Sequence, residues 1–559
     1  FTLSEEEEDS EEDKDPTDNS TDNPTDNPAA NPTDDPTANP KKDVVHELAP
    51  ADPNPEQPAT KLAPTTSATP TAKTKEVTLD DAPAAKTKEA TLADTPTTPA
   101  SPVGSADNPS KNVIRVVNDW VGKVLNIRLS NVNIKVDRTD SKYADGKRDD
   151  SYRGPYDIYY GVSAAEVQGT GNTKIELDGQ NVLDSSACQR FAGLSKRGSG
   201  NLTITDETSD TGKTITTKEE TDTSGSLQAE GGVEGGAAIG GSRGRDTDNI
   251  TIEGYATVKA NTLGYDAAGI GGGKGAKGSN ITIQGHANVT ANGGLSGAGI
   301  GGGSRGDYGG GDAENIIIQD YAKVTATGDN GAAIGSGSAW NSQKKSGDAK
   351  NIVIRGHATV NATNSRSGAA IGAAGEGKDA SAVVIIGTPG AADEDVRITA
   401  TGVYGSAIGN GAKDTKVTIQ GHTTIQTASS YQARVAIGSA IGNVEVTIKD
   451  NVAIDNDDKV TSEENSSYVS SAIGGRDIDS NSGRKVKVTI DGGTNGKVKI
   501  GENSAITGGY YGAISGTEVK IGDNVLLKMK QRGSQYDKYI AVNNAEAEVG
   551  TRSNPTAGG

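Results

Sequence analysis

Residues 235–303 read GGAAIGG (235–241), NITIEGYATVKA (249–260), AAGIGGG (267–273), NITIQGHANVTA (280–291) and GAGIGGG (297–303). The same phrase returns with variations as far as about Ile521, so the chain is an array, and its beat has to be read before any single residue. Ile239, Ile270, Ile300, Ile334, Ile371 and Ile408 follow one another at intervals of 31, 30, 34, 37 and 37 residues. Phase survives while length varies. The added length falls in segments such as 242–248 and 336–350 and after the second strand, which are therefore loops.

Within each unit apolar residues alternate with period two, the mark of a strand with one buried face. Ile250, Ile252, Ala256, Val258 and Ala260 point one way and Thr251, Thr257 and Lys259 the other. Ile281, Ile283, Ala287, Val289 and Ala291 repeat the pattern, as do Ile316, Ile318, Ala322, Val324 and Ala326. No helical spacing is sustained. Gly254, Gly285, Gly356 and Gly421 each break a unit where a corner needs backbone freedom, and Ala-Ile-Gly supplies a third short strand. Three short strands in about 30 residues make one coil of an all-β, right-handed parallel β-helix. Stacked about 4.8 Å apart, the coils align Ile250, Ile281, Ile316 and Ile352 in one buried ladder. The competing architecture, a β-sandwich of irregular hairpins, brings no two copies of the unit into register.

Composition agrees with a narrow core. The 559 residues are 32% hydrophobic and 4% aromatic, with 75 glycines, one Met and two Phe; too few large side chains for a broad globular interior, they suffice for a coil lined by Ile, Val and Ala. Of the 20 prolines 17 precede Ser110, and residues 1–109 hold 24 acidic and 8 basic side chains, so −16 of the net −20 belongs to the tail. Residues 1–110 are accordingly expected to be a disordered, acidic, Pro-rich stalk or linker. Residues 111–224 hold Trp120 and closely spaced Val, Ile and Leu and are expected to form an N-terminal cap with irregular initial coils. Residues 225–530 are the β-helix repeats and residues 531–559 a C-terminal extension. No cleavable signal is expected, and the 559 residues contain no apolar run of 18. The start at Phe1 suits a processed or truncated product. Cys188, the sole cysteine, can make no internal disulfide and reads as a structural thiol beside Phe191.

Several features invite a chemical reading. The glycine-rich runs lack the Lys-Ser/Thr ending and following helix of a phosphate-binding loop. After the corner glycine, or Asp320 in one unit, come Tyr255, His286, Tyr321, His357 and His422, a candidate ligand-binding stripe of outward rings that also stabilises neighbouring coils on its own. A zinc site is not expected there, because His286 and His357 lie two coils, about 9.6 Å, apart, whereas each zinc ligand sits about 2 Å from the metal. The residue before the corner runs Glu253, Gln284, Gln319, Arg355 and Gln420, with no recurring pair of carboxylates for glycoside hydrolysis. Asp246, Asp248, Asp307 and Asp312 read as solvated loop acids rather than calcium ligands. Thr251, Thr282, Thr418, Thr447 and Thr489 form a partial threonine column, of the kind an ice-binding face needs, but Ile317 and Val353 interrupt it.

In GAGIGGG joined to NITIxGxAxVxA, and in KIELDGQNV (174–182) followed by GSGNLTITD (198–206), the chain resembles the β-helical repeat regions of large cell-surface proteins of gut and oral Firmicutes, a carbohydrate-binding-domain-containing, adhesin-like family. The likeness covers residues from about Lys174 to Ile521. It implies a secreted or cell-surface adhesin or structural protein, not an enzyme, presenting one face to glycans or to host or microbial surface molecules. The alternative is a polysaccharide lyase or glycoside hydrolase of the same coil shape, and an ice-binding protein is a distant third. No metal, cofactor, nucleic-acid partner or membrane insertion is expected, and the chain is expected to be a monomer.

Overall fold

The computed structural model describes residues 104–105, 107–137, 161–207, 225–340, 343–375, 378–429, 435–439, 441–456, 471–475, 484–501, 506, 517–527 and 546–549. All lie in the unit Lys75–Gly559. The acidic tail through residue 103 and, apart from residues 546–549, the C-terminal extension lie outside the described residues.

Three parallel sheets of 11, 13 and 12 strands make up the described chain, and among the described residues there is no α-helix. As far as Val498–Ile500 each described strand after the first three pairs with the one three places earlier, so each coil contributes one strand to each sheet; beyond it the described strands pair two places apart, Val486–Asp491 with Thr517–Ile521 and Thr517–Ile521 with Glu546–Val549. The first sheet contains the short Ile-Gly strands, such as Ile239–Gly240, Ile270–Gly271 and Ile300–Gly301; the second contains the Ile-Thr-Ile strands, such as Ile250–Gly254 and Gly278–Ile283; the third contains strands such as Thr257–Thr262 and Asn288–Asn292. The architecture is a parallel β-helix.

Register is as the repeat requires. Ile250 pairs with Leu202 and Ile281, Ile281 with Ile316, and Ile316 with Ile352. The column continues through Val384, Val417, Val446, Val488 and Val519, and each of these side chains is fully buried. Ala256, Val258 and Ala260 are buried equally, while Thr257 and Lys259 face water. Since removing an aliphatic side chain of this size from water contributes roughly 1.5–3 kcal/mol, and one coil leaves both of its edges bare, the stabilisation exists only between neighbours.

The regular coils begin before the clearest repeats. Strands Ile114–Val117, Val124–Ser130 and Asn133–Lys135 already belong to the three sheets, and Ile114 pairs with Ala165. Val116, Leu129, Val132, Ile134 and Val136 continue the core, and in the next coils Leu177, Leu183, Leu194, Leu202 and Leu227 fill it. The large residues of this segment are thus mostly lining. Trp120, by contrast, lies in the turn between two strands of the first coil, 69% exposed. Cys188 is buried, with Phe191 packed against the same core.

Two backbone devices hold the coil shape. At the corner between the second and third sheets φ is positive: 65° at Gly254, 66° at Gly285, 59° at Asp320, 75° at Gly356 and 67° at Gly421. In the first sheet Gly240, Gly271, Gly301, Gly335 and Gly372 have φ of 132–144°, and a Cβ on any of them would overlap the carbonyl oxygen of the glycine one coil on. Only glycine meets both the dihedral and the close approach.

Gly301→Ala is therefore expected to lower the urea midpoint far more than Gly244→Ala, because Gly244 shares a positive φ (73°) but a Cβ there meets nothing within 4 Å. The Gly244 change carries only the dihedral strain, on the order of 1 kcal/mol; equal midpoints for the two variants would contradict the packing argument. Ile316→Ala should cost about 2–5 kcal/mol. Ile317→Thr, one residue along on the outward face, should stay within about 0.5 kcal/mol, and equilibrium unfolding of the pair checks the assignment of faces.

Candidate functional site

The residue after each corner is fixed by the corner of the preceding coil. Tyr255 N–H donates to Asp206 O (2.9 Å), His286 N–H to Gly254 O (2.8 Å), Tyr321 N–H to Gly285 O (2.9 Å) and His357 N–H to Asp320 O (2.6 Å). Their rings consequently stack at the coil spacing. Centroids are 4.8 Å apart for Tyr255 and His286, 4.9 Å for His286 and Tyr321, and 4.6 Å for Tyr321 and His357, with interplanar angles of 5°, 12° and 10°. Such pairs contribute about 0.5–1.5 kcal/mol each beyond area burial. The structure brings four of the five expected rings together.

His422 stands apart. In the coil between His357 and His422 the corner residue Gly387 is followed by Thr388, whose hydroxyl donates to Glu394 Oε1 (2.8 Å), so no ring occupies that level. His422 instead donates Nδ1–H to the Glu394 carbonyl (2.9 Å), since a carbonyl oxygen can only accept, and it has Asp395 Oδ1 at 3.8 Å.

Stacking has a chemical consequence for the stripe. The faces of His286 and Tyr321 are covered by their neighbours, so the stripe presents ring edges to water rather than flat platforms. Tyr321 is 51% exposed along this edge. Alongside runs a second column. Gln284 Nε2 donates to Glu253 Oε2 (2.7 Å), Gln319 Nε2 to Gln284 Oε1 (2.8 Å), and Arg355 to Gln319 Oε1 through Nε (2.9 Å) and Nη2 (2.6 Å). Gln420 is buried and donates to Gly387 O (3.2 Å). Four residues earlier along the same second-sheet strands, the asparagines that precede each Ile-x-Ile adopt φ of 51–59° and donate side chain to side chain, Asn280 to Asn249 (3.1 Å), Asn315 to Asn280 (3.0 Å) and Asn351 to Asn315 (2.9 Å). Sequence reasoning missed this ladder, although its signal was the unvarying Asn before each Ile-x-Ile.

The loop acids tie coils together. Asp246 Oδ1 accepts from Lys277 N–H (2.8 Å), and Asp248 lies 3.6 Å from the buried Lys196 ammonium. Asp312 accepts from Lys350 Nζ (3.0 Å) and, through its other oxygen, from Asp348 N–H (2.9 Å). Burial pushes the Asp348 carboxyl up, but Lys345, the Ser381 N–H and the Lys350 charge outweigh it and hold it below the ordinary carboxylate range. The hydrogen bond to Asp312 holds the Lys350 ammonium above its usual value. Among the described residues no group of three or more His, Cys, Asp or Glu could hold a metal ion. The threonine column is in register, Thr251 beside Thr282, then Ile317 and Val353, with Thr418, Thr447 and Thr489 following Ile385.

A second aromatic group lies in the loops flanking the short Ile-Gly strands. Tyr265 is 63%, Tyr308 75% and Trp340 46% exposed, and Tyr265 meets Trp340 edge to face with centroids 6.5 Å apart. Nothing in the repeat pointed to them, because they sit where unit length varies.

Residues 250–274, 281–304 and 316–338 match the family model described as a Beta helix repeat. No curated protein and no solved structure matches the chain. The matched segments run from the Ile-x-Ile of a second-sheet strand through the ring position to the residues after the Ile-Gly strand. Sheet topology and matched repeats agree that the chain is a β-helix repeat protein.

Proposed function

We propose that the chain is a non-catalytic cell-surface protein, an adhesin or structural surface component, that lays a glycan chain along the ridge between its second and third sheets. The observation that carries this reading is the unbroken column of four rings at 4.6–4.9 Å. Beside it runs the hydrogen-bonded row Glu253, Gln284, Gln319 and Arg355.

The ridge offers edges: phenol and imidazole groups that exchange hydrogen bonds, repeated at nearly the length by which a hexose advances an extended polysaccharide. A polyhydroxylated chain lying parallel to the rod would meet equivalent groups on successive sugars, so that weak contacts add through multivalency. The likeness to surface proteins in GAGIGGG and NITIxGxAxVxA supports display outside the cell.

The test applies the full chain to a glycan array and, separately, to soluble polysaccharides monitored for new reducing ends. The expected result is retained binding to an extended glycan with no release of ends. The double variant His286→Ala/Tyr321→Ala, which opens the middle of the column while leaving the buried ladder intact, should weaken retention at least tenfold. Turnover of a polysaccharide without retained binding would replace this reading with a lyase or hydrolase.

A further inference from the structure

The loops around the Ile-Gly sheet hold a group of side chains that the ridge does not use. Loops from three successive coils converge there. Ser304 N–H donates to Asp266 O and Trp340 N–H to Gly306 O (3.0 Å), so the backbones next to Tyr265, Arg305 and Trp340 are tied to one another, and Tyr265 and Trp340 are in ring contact. The Trp340 Nε1–H donates to the hydroxyl of Ser296, which is fully buried, so the indole is anchored by its nitrogen edge. Arg305 is exposed and lies over the Tyr308 ring, 5.5 Å from its centroid, and its stem rests on Gly275 of the preceding coil.

This corner differs from the ridge in the way that matters for binding. Ridge rings are stacked at 5–12° and cover one another's faces. Tyr265 and Trp340 meet edge to face at 76°, so each keeps at least one face that the other does not cover, and both are exposed by 46% or more. In a chain that is 4% aromatic and has two tryptophans, three rings exposed by 46% or more within one loop cluster form a concentrated apolar surface. Its rim is cationic. Lys274 is engaged by the Asp266 carboxylate, but no carboxylate pairs with Arg305 among the described residues, and its guanidinium fork is suited to a bidentate carboxylate.

We infer that this corner, formed by Tyr265, Arg305, Tyr308 and Trp340, is a binding site for a uronate residue of an acidic polysaccharide. The C–H face of the pyranose packs on the open indole and phenol faces, and its carboxylate takes the Arg305 fork. A neutral hexose would make the first contact without the second. A flat aromatic acid would make both but could not continue as a chain onto the neighbouring coils. The inference deepens the glycan-binding reading but rests on different side chains, on another edge of the coil.

The experiment uses the full chain in a Trp120→Phe background, so that Trp340 is the only tryptophan. Hexagalacturonate and its full methyl ester are titrated against tryptophan fluorescence and by calorimetry. The acidic oligomer should shift the emission saturably and bind at least tenfold more tightly than the ester, with affinity falling as salt rises. Arg305→Gln should abolish the preference for acid over ester, and Trp340→Ala should weaken binding of the acidic oligomer at least tenfold while circular dichroism stays that of the parent. Equal affinity for acid and ester in the parent, or undiminished binding by Trp340→Ala, overturns the proposal. If hexagalacturonate does not bind but the array still retains glycans through His286 and Tyr321, this site falls and the ridge reading stands.

Discussion

The whole rod depends on backbones approaching one another along the Ile-Gly sheet more closely than any side chain permits. Gly240, Gly271, Gly301, Gly335 and Gly372 each sit under the carbonyl of the next, at a φ that other residues rarely adopt. This contact sets the pitch on one side of the coil, and hydrogen bonds such as Gly272 N–H to Gly301 O (2.9 Å) lock it. With pitch fixed there, the other two sheets have no choice of register. Ile250 must fall beside Ile281, and Tyr255 beside His286.

A fixed pitch explains the composition. A cross-section bounded by three short strands has room for Ile, Val and Ala and little else, which is why buried positions in the regular coils repeat those residues. The first coils are wider in side-chain content, with Leu183, Leu194, Leu202 and Leu227 in the columns that later hold Ala260, Ile239, Ile250 and Val258. The change from Leu to Ile and Ala occurs without any break in pairing, since Leu202 pairs directly with Ile250 and Leu227 with Val258. Core identity thus varies along the rod while backbone geometry does not.

That division decides what could be read from the sequence. Period-two alternation and the spacing of the Ala-Ile-Gly phrase placed the buried ladder residue by residue, because both are consequences of pitch. They also placed Tyr255, His286, Tyr321 and His357 in one column. His422 was counted with them because its local phrase is the same, but the intervening coil replaces the ring with Thr388 and the longer turn that follows it. The early coils were harder to see. Ile114 pairs with Ala165 and Leu194 with Ile239, separations of 51 and 45 residues that hide the beat behind long insertions. Tyr265, Tyr308 and Trp340 were invisible for the same reason: their meeting depends on loops of unequal length, and no period describes it.

The same logic locates specificity. Side chains in the regular strands stand next to their own counterparts, so polar ones satisfy each other, as Asn249, Asn280, Asn315 and Asn351 do, and planar ones cover each other, as the four rings do. A self-satisfied ladder is stiff but repeats one chemical statement along its length, which suits avidity for a repetitive partner more than discrimination between partners. Discrimination needs unlike groups converging from different directions, and in a coil of this kind only the loops can supply them. Loops before and after the Ile-Gly strands bring an indole, two phenols and a guanidinium from three successive coils to one corner. Where the repeat is most regular the molecule is scaffold and ridge; where the repeat is interrupted, it can acquire a chemically distinct site without disturbing the glycine column that fixes its pitch.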